Sequence, residues 1–279
     1  TSQFFINLKD NYFLDHSQRG VLAQRSGEST EAGPLFARAE VEFANVAKIK
    51  EFSAADHALF RQAFCVIQRN DLSRAASIYE QIAGSFPKSA YVGQAALGAA
   101  RCYYRDDRLD QARVVFRRLW EEGKQEASEA AHWLCQIQLR RGEFSAAAEL
   151  ASTAVKRSGQ SEFLVRLKMD HADALFEQLE HRAESLPLYV AICEDHPNDT
   201  NAPQANYNAA FTALDLGDYQ RLGELVKRFR ERHSDHALIP DVLYVEAEAQ
   251  LQQQQYEVAE SMFRKLMSTH PKHVDRADW

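Results

Sequence analysis

Three observations predict an all-α fold, a right-handed α-solenoid of antiparallel helix pairs. Alanine is abundant, at 41 of 279 residues, and it is the best helix former and a poor strand former. Glycine (11) and proline (7) are scarce, which removes collagen-like and disordered readings. A pattern of apolar and small residues also recurs six times at intervals of 35 to 38 residues. Self-similarity of that period marks an array whose core grows by addition.

Each copy opens on a polar or glycine turn and an anchor residue. A small residue follows three later, an aromatic four beyond that, and a branched apolar residue three further on. The first copy reads Leu72, Ala75, Tyr79 and Ile82, and the second Leu109, Ala112, Phe116 and Leu119. The third is Phe144, Ala147, Ala151 and Ala154. The fourth, weaker, is Arg182, Ser185, Tyr189 and Ile192. Tyr219, Leu222, Val226 and Phe229 form the fifth, and Tyr256, Ala259, Phe263 and Leu266 the sixth. Positions i, i+3, i+7 and i+10 lie on one face of a helix.

Ahead of each turn a first helix carries a small inner stripe, such as Ala96, Ala99, Ala100 and Tyr103. Small residues let two antiparallel helices approach closely, and the aromatic of the following helix fills the space between them. A single pair cannot bury its apolar face, so neighbouring pairs must stack. The six repeats run over about 56–92, 93–127, 128–165, 166–202, 203–239 and 240–275.

Residues 1–55 read as a degenerate lead-in repeat. Its first helix is expected from Phe4 to about Gln18, its second carries Phe36, Ala39, Phe43 and Val46, and a polar loop joins them near 25–34. Ser53, with Asp56 three later, has the pattern of a capping box opening the next helix. At the other end, Arg276-Ala277-Asp278-Trp279 reads as the start of a further first helix. No capping helix follows it, so the expectation is a fragment of a longer repeat protein with an end open to a partner or to self-association.

The alanine series at 75, 112, 147 and 259 resembles the tetratricopeptide repeat. So do the aromatics Tyr79, Phe116, Tyr189 and Phe263 and the closing prolines Pro87, Pro197 and Pro271. The resemblance covers roughly 56–275 and departs from that family in its longer spacing and its mostly missing first-helix tryptophan and leucine-glycine pair. Phe86-Pro87-Lys88-Ser89 and His196-Pro197-Asn198-Asp199 are similar in style to bacterial cell-envelope repeat proteins of the BamD and YbgF types. That similarity implies a periplasmic or envelope location, with cytoplasm as the alternative.

Charge and motifs narrow the function. The net charge of −7 disfavours generic binding to nucleic acid or anionic membrane. The apolar runs, such as 95–100, are far shorter than the roughly 20 residues of a membrane span. No glycine-rich phosphate cradle, GxSxG or HExxH motif occurs, and the carboxylates lack the spacing of a closed catalytic pocket. The reading is therefore non-enzymatic, with no cofactor. His233, His236, His270 and His273 sit at helix exits and do not supply four converging zinc ligands, so no metal is expected. The dispersed Cys65, Cys102, Cys135 and Cys193 read as free, buried thiols. The sequon Asn198-Asp199-Thr200 and the polar run Gln252–Gln255 are read as incidental loop and solvated surface.

What remains is the face formed by the first helices. Arg101, Tyr104 and Arg105, followed by His132 and Arg140, make a cationic stretch suited to a carboxylate or acidic peptide. Further on, Asp170, Glu177, Asp215, Asp241 and Glu248 alternate with the aromatics Tyr207, Phe211 and Tyr244. The expected role is a scaffold binding a protein or peptide in a groove whose charge reverses along its length. A spacer or self-association region of a longer protein is the alternative. The competing reading of the charges is surface ion pairs of little worth.

Overall fold

The computed structural model describes residues 18–21, 24, 29–49 and 52–271. The first helix expected from Phe4 and the terminal Arg276–Trp279 lie outside the described residues, apart from Gln18, which is helical. A long helix, α1 (Ser29–Ala47), leads into pairs of first and second helices. These are α2 (Ala55–Gln68) with α3 (Leu72–Ser85), α4 (Val92–Arg105) with α5 (Leu109–Glu122), and α6 (Ala127–Arg140) with α7 (Phe144–Ser158). Then come α8 (Leu164–Phe176) with α9 (Arg182–Asp195), α10 (Ala202–Asp215) with α11 (Tyr219–Arg232), and α12 (Ile239–Gln252) with α13 (Tyr256–Thr269). No strand occurs among the described residues. The fold is an all-α solenoid, divided into two compact units, 1–130 and 131–279.

Each of the six anchors read from the sequence is the first residue of a second helix. The turn ahead of it explains why. In five of the six pairs the residue two before the anchor is left-handed: Asn70, Asp107, Gly142, Gly217 and Gln254 have φ between 59° and 71°. The Asp71 N–H donates back to the Val66 carbonyl, and the Asn70 N–H to Ile67. The same pair of bonds recurs at the other four turns, which is the Schellman closure that satisfies the last carbonyls of a helix. Asp71 and Asp218 then cap the following helix, accepting from the N–H of Arg74 and Arg221. At the far end of α3, α9 and α13 the cap residues Phe86, His196 and His270 leave the helical region (φ −134°, −130° and −125°). The prolines that follow them exclude a helical conformation there.

Within unit 1, α1 lays Phe36, Ala39, Phe43 and Val46 against Ala58 and Cys65 of α2. Glu40, buried on the same helix, accepts from Arg69 and Arg74. Tyr79 of α3 is buried between Phe60, 5.3 Å away centroid to centroid, and Gly98 of α4. A Cβ at Gly98 would lie 2.7 Å from that ring, so α3 and α4 approach as they do because the position has no side chain. In unit 2 one apolar cluster runs through α8 to α12 and includes Ala172, Tyr189, Ile192, Ala209, Val226, Phe229 and Val242. The third pair has no inner aromatic; α7 turns Ala147, Ala151 and Ala154 inward, all fully buried.

Two expectations need correction. Residues 29–34 of the predicted polar loop are helical, and α1 carries Pro34 inside it. The alanines at 32, 37 and 39 and the burial of Phe36 outweigh one glycine and one proline near the start of the helix. Ser53 is not a helix cap. The cap position of α2 is Ala54, with no side-chain cap. Asp56 instead accepts from its neighbour His57 N–H (2.8 Å) and from the Ser89 hydroxyl (2.6 Å) in the turn before α4. The four cysteines are free and buried, as expected. Burial pushes the Cys102 and Cys193 thiols up to about 11.

Turn geometry makes a paired prediction. Gly217 (φ +71°) and Gly223, within α11, both have open space where a Cβ would go. Gly217→Ala should cost about 1–2 kcal/mol through the left-handed backbone alone. Gly223→Ala should stabilise by about 0.5–1 kcal/mol through helix propensity. Urea unfolding of the two variants beside the parent measures both signs.

Candidate functional site

The site is built on the first helices of unit 2. On α8, Asp170, Asp173 and, at its C-cap, Glu177 follow each other at i, i+3 and i+7, with Phe176 at their edge. On α10, Tyr207 and Phe211 stand at i and i+4 with Asn208 beside them. The opposite faces of both helices are buried in the apolar cluster through Ala172, Ala205, Ala209 and Ala213. That burial sets the rotation of each helix and so decides which polar residues emerge together.

They emerge into a cleft of about 520 Å³. Its apolar lining is Leu139, Phe144, Phe176 and Phe211, and its polar lining is Asp173, Glu177, Tyr189, Tyr207, Asn208 and Thr212. The ring of Phe211, 40% exposed, lies 6.0 Å from Phe176 and 6.3 Å from Tyr207. Arg182 stacks its guanidinium 4.6 Å from the Phe176 ring while donating to the Phe176 carbonyl and to Asp215, each at 2.9 Å.

Asp173 is the perturbed group of the cleft. The Tyr189 hydroxyl donates to its Oδ1 at 2.6 Å and the Asn208 amide to the same oxygen at 3.3 Å. Burial pushes its carboxyl up from 3.8 to about 6, opposed by the Tyr189 hydrogen bond and reinforced by the nearby Asp170. Burial, with Asp173 as a neighbour, also pushes the Tyr189 hydroxyl up. One helical turn away, Asp170 is 1% exposed. It accepts from the Gln136 amide at 2.7 Å and sits 2.7 Å from His132 Nδ1. Burial raises the Asp170 carboxyl, with His132 pulling the other way.

The sequence-predicted residues separate accordingly. Tyr207, Phe211 and Glu177 line the cleft. Asp170 does not line a groove: it is buried, because α8 turns that position toward α6. His132 is engaged with it, and its side chain is 13% exposed. Asp215 is held by Arg182. Tyr244 is half-buried, its ring 5.8 Å from Phe263 of α13, and does not line the cleft. On α4, Arg105 is exposed and Tyr104 half-buried. Arg101 pairs with Glu129 at 3.1 Å. Arg140 is exposed at the end of α6. Sequence reasoning missed Asp173, Phe176 and Asn208. Their signal was the i+3 and i+7 spacing that links Asp170 to Asp173 and Glu177.

The histidines at helix exits form a small aromatic group: the rings of His233 and His236 lie 5.3 Å and 6.0 Å from Phe229. His233 is pushed down by burial and by its neighbour His236. Among the described residues no three His, Cys, Asp or Glu side chains gather as metal ligands. Among them too, no helix is long and apolar enough to cross a membrane.

Tetratricopeptide repeat family models match residues 66–132 and 241–273. Those two stretches are tetratricopeptide repeats. No curated protein matches it significantly in sequence. Among solved structures it is similar to the apo form of RapI, with a TM-score of 0.68 and 16% identity over 95% of this chain and 78% of RapI. It is also similar to PilW, a type IV pilus biogenesis factor (TM-score 0.63, 15% identity, 81% of this chain and 99% of PilW). A tetratricopeptide repeat protein from Parabacteroides merdae aligns with a TM-score of 0.56 and 14% identity over 92% of each chain. Likenesses at this identity show the fold and leave the function to the site.

The Asp173 carboxyl predicts a pH signature. Its pKa is higher in the folded chain than in the unfolded one. Its contribution to stability is therefore complete below about pH 4 and is lost as pH rises through about 6. Asp173→Asn fixes the uncharged form and keeps an acceptor for Tyr189. The variant should match the parent at pH 4 and exceed it at pH 7.5 by up to about 3 kcal/mol. Denaturant titrations at the two pH values measure the difference, and a gap that does not grow with pH would refute it.

Proposed function

We propose that the protein is a non-enzymatic scaffold that binds a segment of a partner protein along the face formed by its first helices. The observation that carries this reading is the cleft of unit 2. It holds a 40%-exposed phenylalanine, four further aromatic side chains and a carboxylate with both its hydrogen bonds on one oxygen. Aromatic side chains standing in a partly desolvated recess are the anchors on which interfaces concentrate their binding energy. The helices around the cleft are held by buried alanines such as Ala172, Ala205, Ala209 and Ala213, which preorganises the site. The ordering entropy then falls mainly on the partner.

Arg101, Tyr104 and Arg105 on α4, and separately Arg140 at the end of α6, offer further contacts to an acidic partner segment, whereas His132 is taken up by Asp170. The exposure of Arg105 and the 46% exposure of Arg101 support this, since a surface ion pair such as Arg101–Glu129 yields readily to a competing carboxylate. The style of the turns at Phe86–Ser89 and His196–Asp199 supports a place in a bacterial envelope assembly. Cell fractionation tests that placement.

Phe211→Ala should leave helicity unchanged and weaken partner binding about tenfold, the scale of one interface anchor. Crosslinking in cells followed by affinity measurement with the captured partner tests it, and retention of full affinity would remove the cleft from the interface. Arg101→Glu combined with Arg105→Glu should also weaken the partner without unfolding the array. Unchanged affinity in that double variant would confine binding to unit 2.

A further inference from the structure

We infer that the cleft beside α8 and α10 takes a lysine or arginine side chain of the partner, its methylene stem on Phe176, Tyr207 and Phe211 and its cationic head between Asp173 Oδ2 and Glu177. This inference rests on the partner-binding reading above and gives its occupant a chemistry. It gives this cleft a charge preference opposite to that expected of the Arg101 and Arg105 stretch on α4.

Charge is the first argument. Among the described residues lining the cleft, two are acidic and none is basic. Both hydrogen bonds to Asp173 fall on Oδ1, from Tyr189 and Asn208, and none falls on Oδ2. The contrast with Asp170 on the same helix is direct, for there Oδ1 and Oδ2 each have a partner, Gln136 and His132. Asp173 is half-buried at the cleft wall, and a cation reaching Oδ2 there would form a charge-assisted hydrogen bond in a partly desolvated recess. Burial has raised Asp173 only to about 6, so it is charged at neutral pH and able to meet a cation.

The aromatic lining supplies the second argument. A basic side chain presents an apolar stem and a charged head, and the rings of Phe176, Phe211 and Tyr207 lie close enough to flank such a stem. Phe176 already accepts a guanidinium from within the chain: Arg182 stacks on it at 4.6 Å while its donors are held by Asp215 and a backbone carbonyl. Arg182 does not line the cleft, so that arrangement leaves the recess itself open. An acidic head would meet Asp173 and Glu177 with like charge. A wholly apolar side chain would bury Asp173 Oδ2 with no donor. Both alternatives are disfavoured by the same carboxylates.

The test is selection of a phage-displayed random twelve-residue peptide library on the immobilised full chain at pH 7.5. Enriched peptides are then titrated as synthetic ligands. The expected result is a shared lysine or arginine next to apolar residues, and at least tenfold weaker binding when it is replaced by norleucine, which keeps the stem and removes the charge. Asp173→Asn with Glu177→Gln should weaken the lysine or arginine peptide by a similar factor and leave the norleucine peptide unchanged. That coupling is one a merely structural role would not produce. Enriched peptides without a common basic residue, equal binding of the norleucine form, or binding indifferent to Phe211→Ala would each overturn the inference while the scaffold reading survives. No enrichment at all would bring down the scaffold reading and the inference with it.

Discussion

A helix hairpin of this length has two apolar faces and can cover only one of them with its own partner helix. The second face must be covered by the next hairpin, and the distance at which that happens is set by side-chain size. Gly98 shows the constraint at its tightest, since the ring of Tyr79 occupies the place a Cβ would take. Elsewhere alanine does the same work less severely. Ala75, Ala112, Ala147 and Ala205 are all fully buried where helices approach one another. Bulky residues at those positions would move each pair outward and leave voids around the inner aromatics.

Close approach also requires that each hairpin turn sharply and at the same place. The repeated left-handed residue two positions before each second helix meets that requirement, with both orphan carbonyls satisfied on the way. Three of the five positions carry Asn, Asp or Gln in place of glycine, so the geometry is held in part by the surrounding packing against local preference. The fourth pair is the exception: its longer link, Glu177–His181, has no left-handed residue. Arg182 is drawn instead across Phe176 to Asp215.

The departures from local consistency gather on α8. A helix packed into an apolar cluster carries three carboxylates in two turns, and each has a different solution. Asp170 is buried and paired with His132 and Gln136, Asp173 is half-satisfied at the wall of a cleft, and Glu177 is exposed. A purely structural helix would not need the second arrangement. Local rules are broken where a site requires it, and the same helix turn that secures Asp170 leaves Asp173 Oδ2 open beside three rings. The buried polar group and the binding recess are therefore products of one helix orientation.

What could be read from the residues alone was local in origin. The 3.6-residue period and the turn residues act over about fifteen positions, so the helix pairs, their starting anchors and the buried thiols were all legible. The opening of α1 at Ser29 and the uncapped start of α2 were not. A helix end is decided by what its first turn packs against, and neither Phe36 nor Ser89 announces its partner in the chain. The candidate site divides in the same way. Tyr207, Phe211 and Glu177 follow from helical spacing. The exchange of Asp170 for Asp173 does not, because one step of three residues rotates a side chain by roughly 60° about the helix axis. Only the packing of α8 against its neighbours fixes which carboxylate faces the interior and which faces the cleft. The sequence thus determined that stacked helix pairs form, through periodicities each segment carries by itself. The tertiary structure decided what their exposed face can bind, because that depends on rotations set by contacts between segments some 35 residues apart.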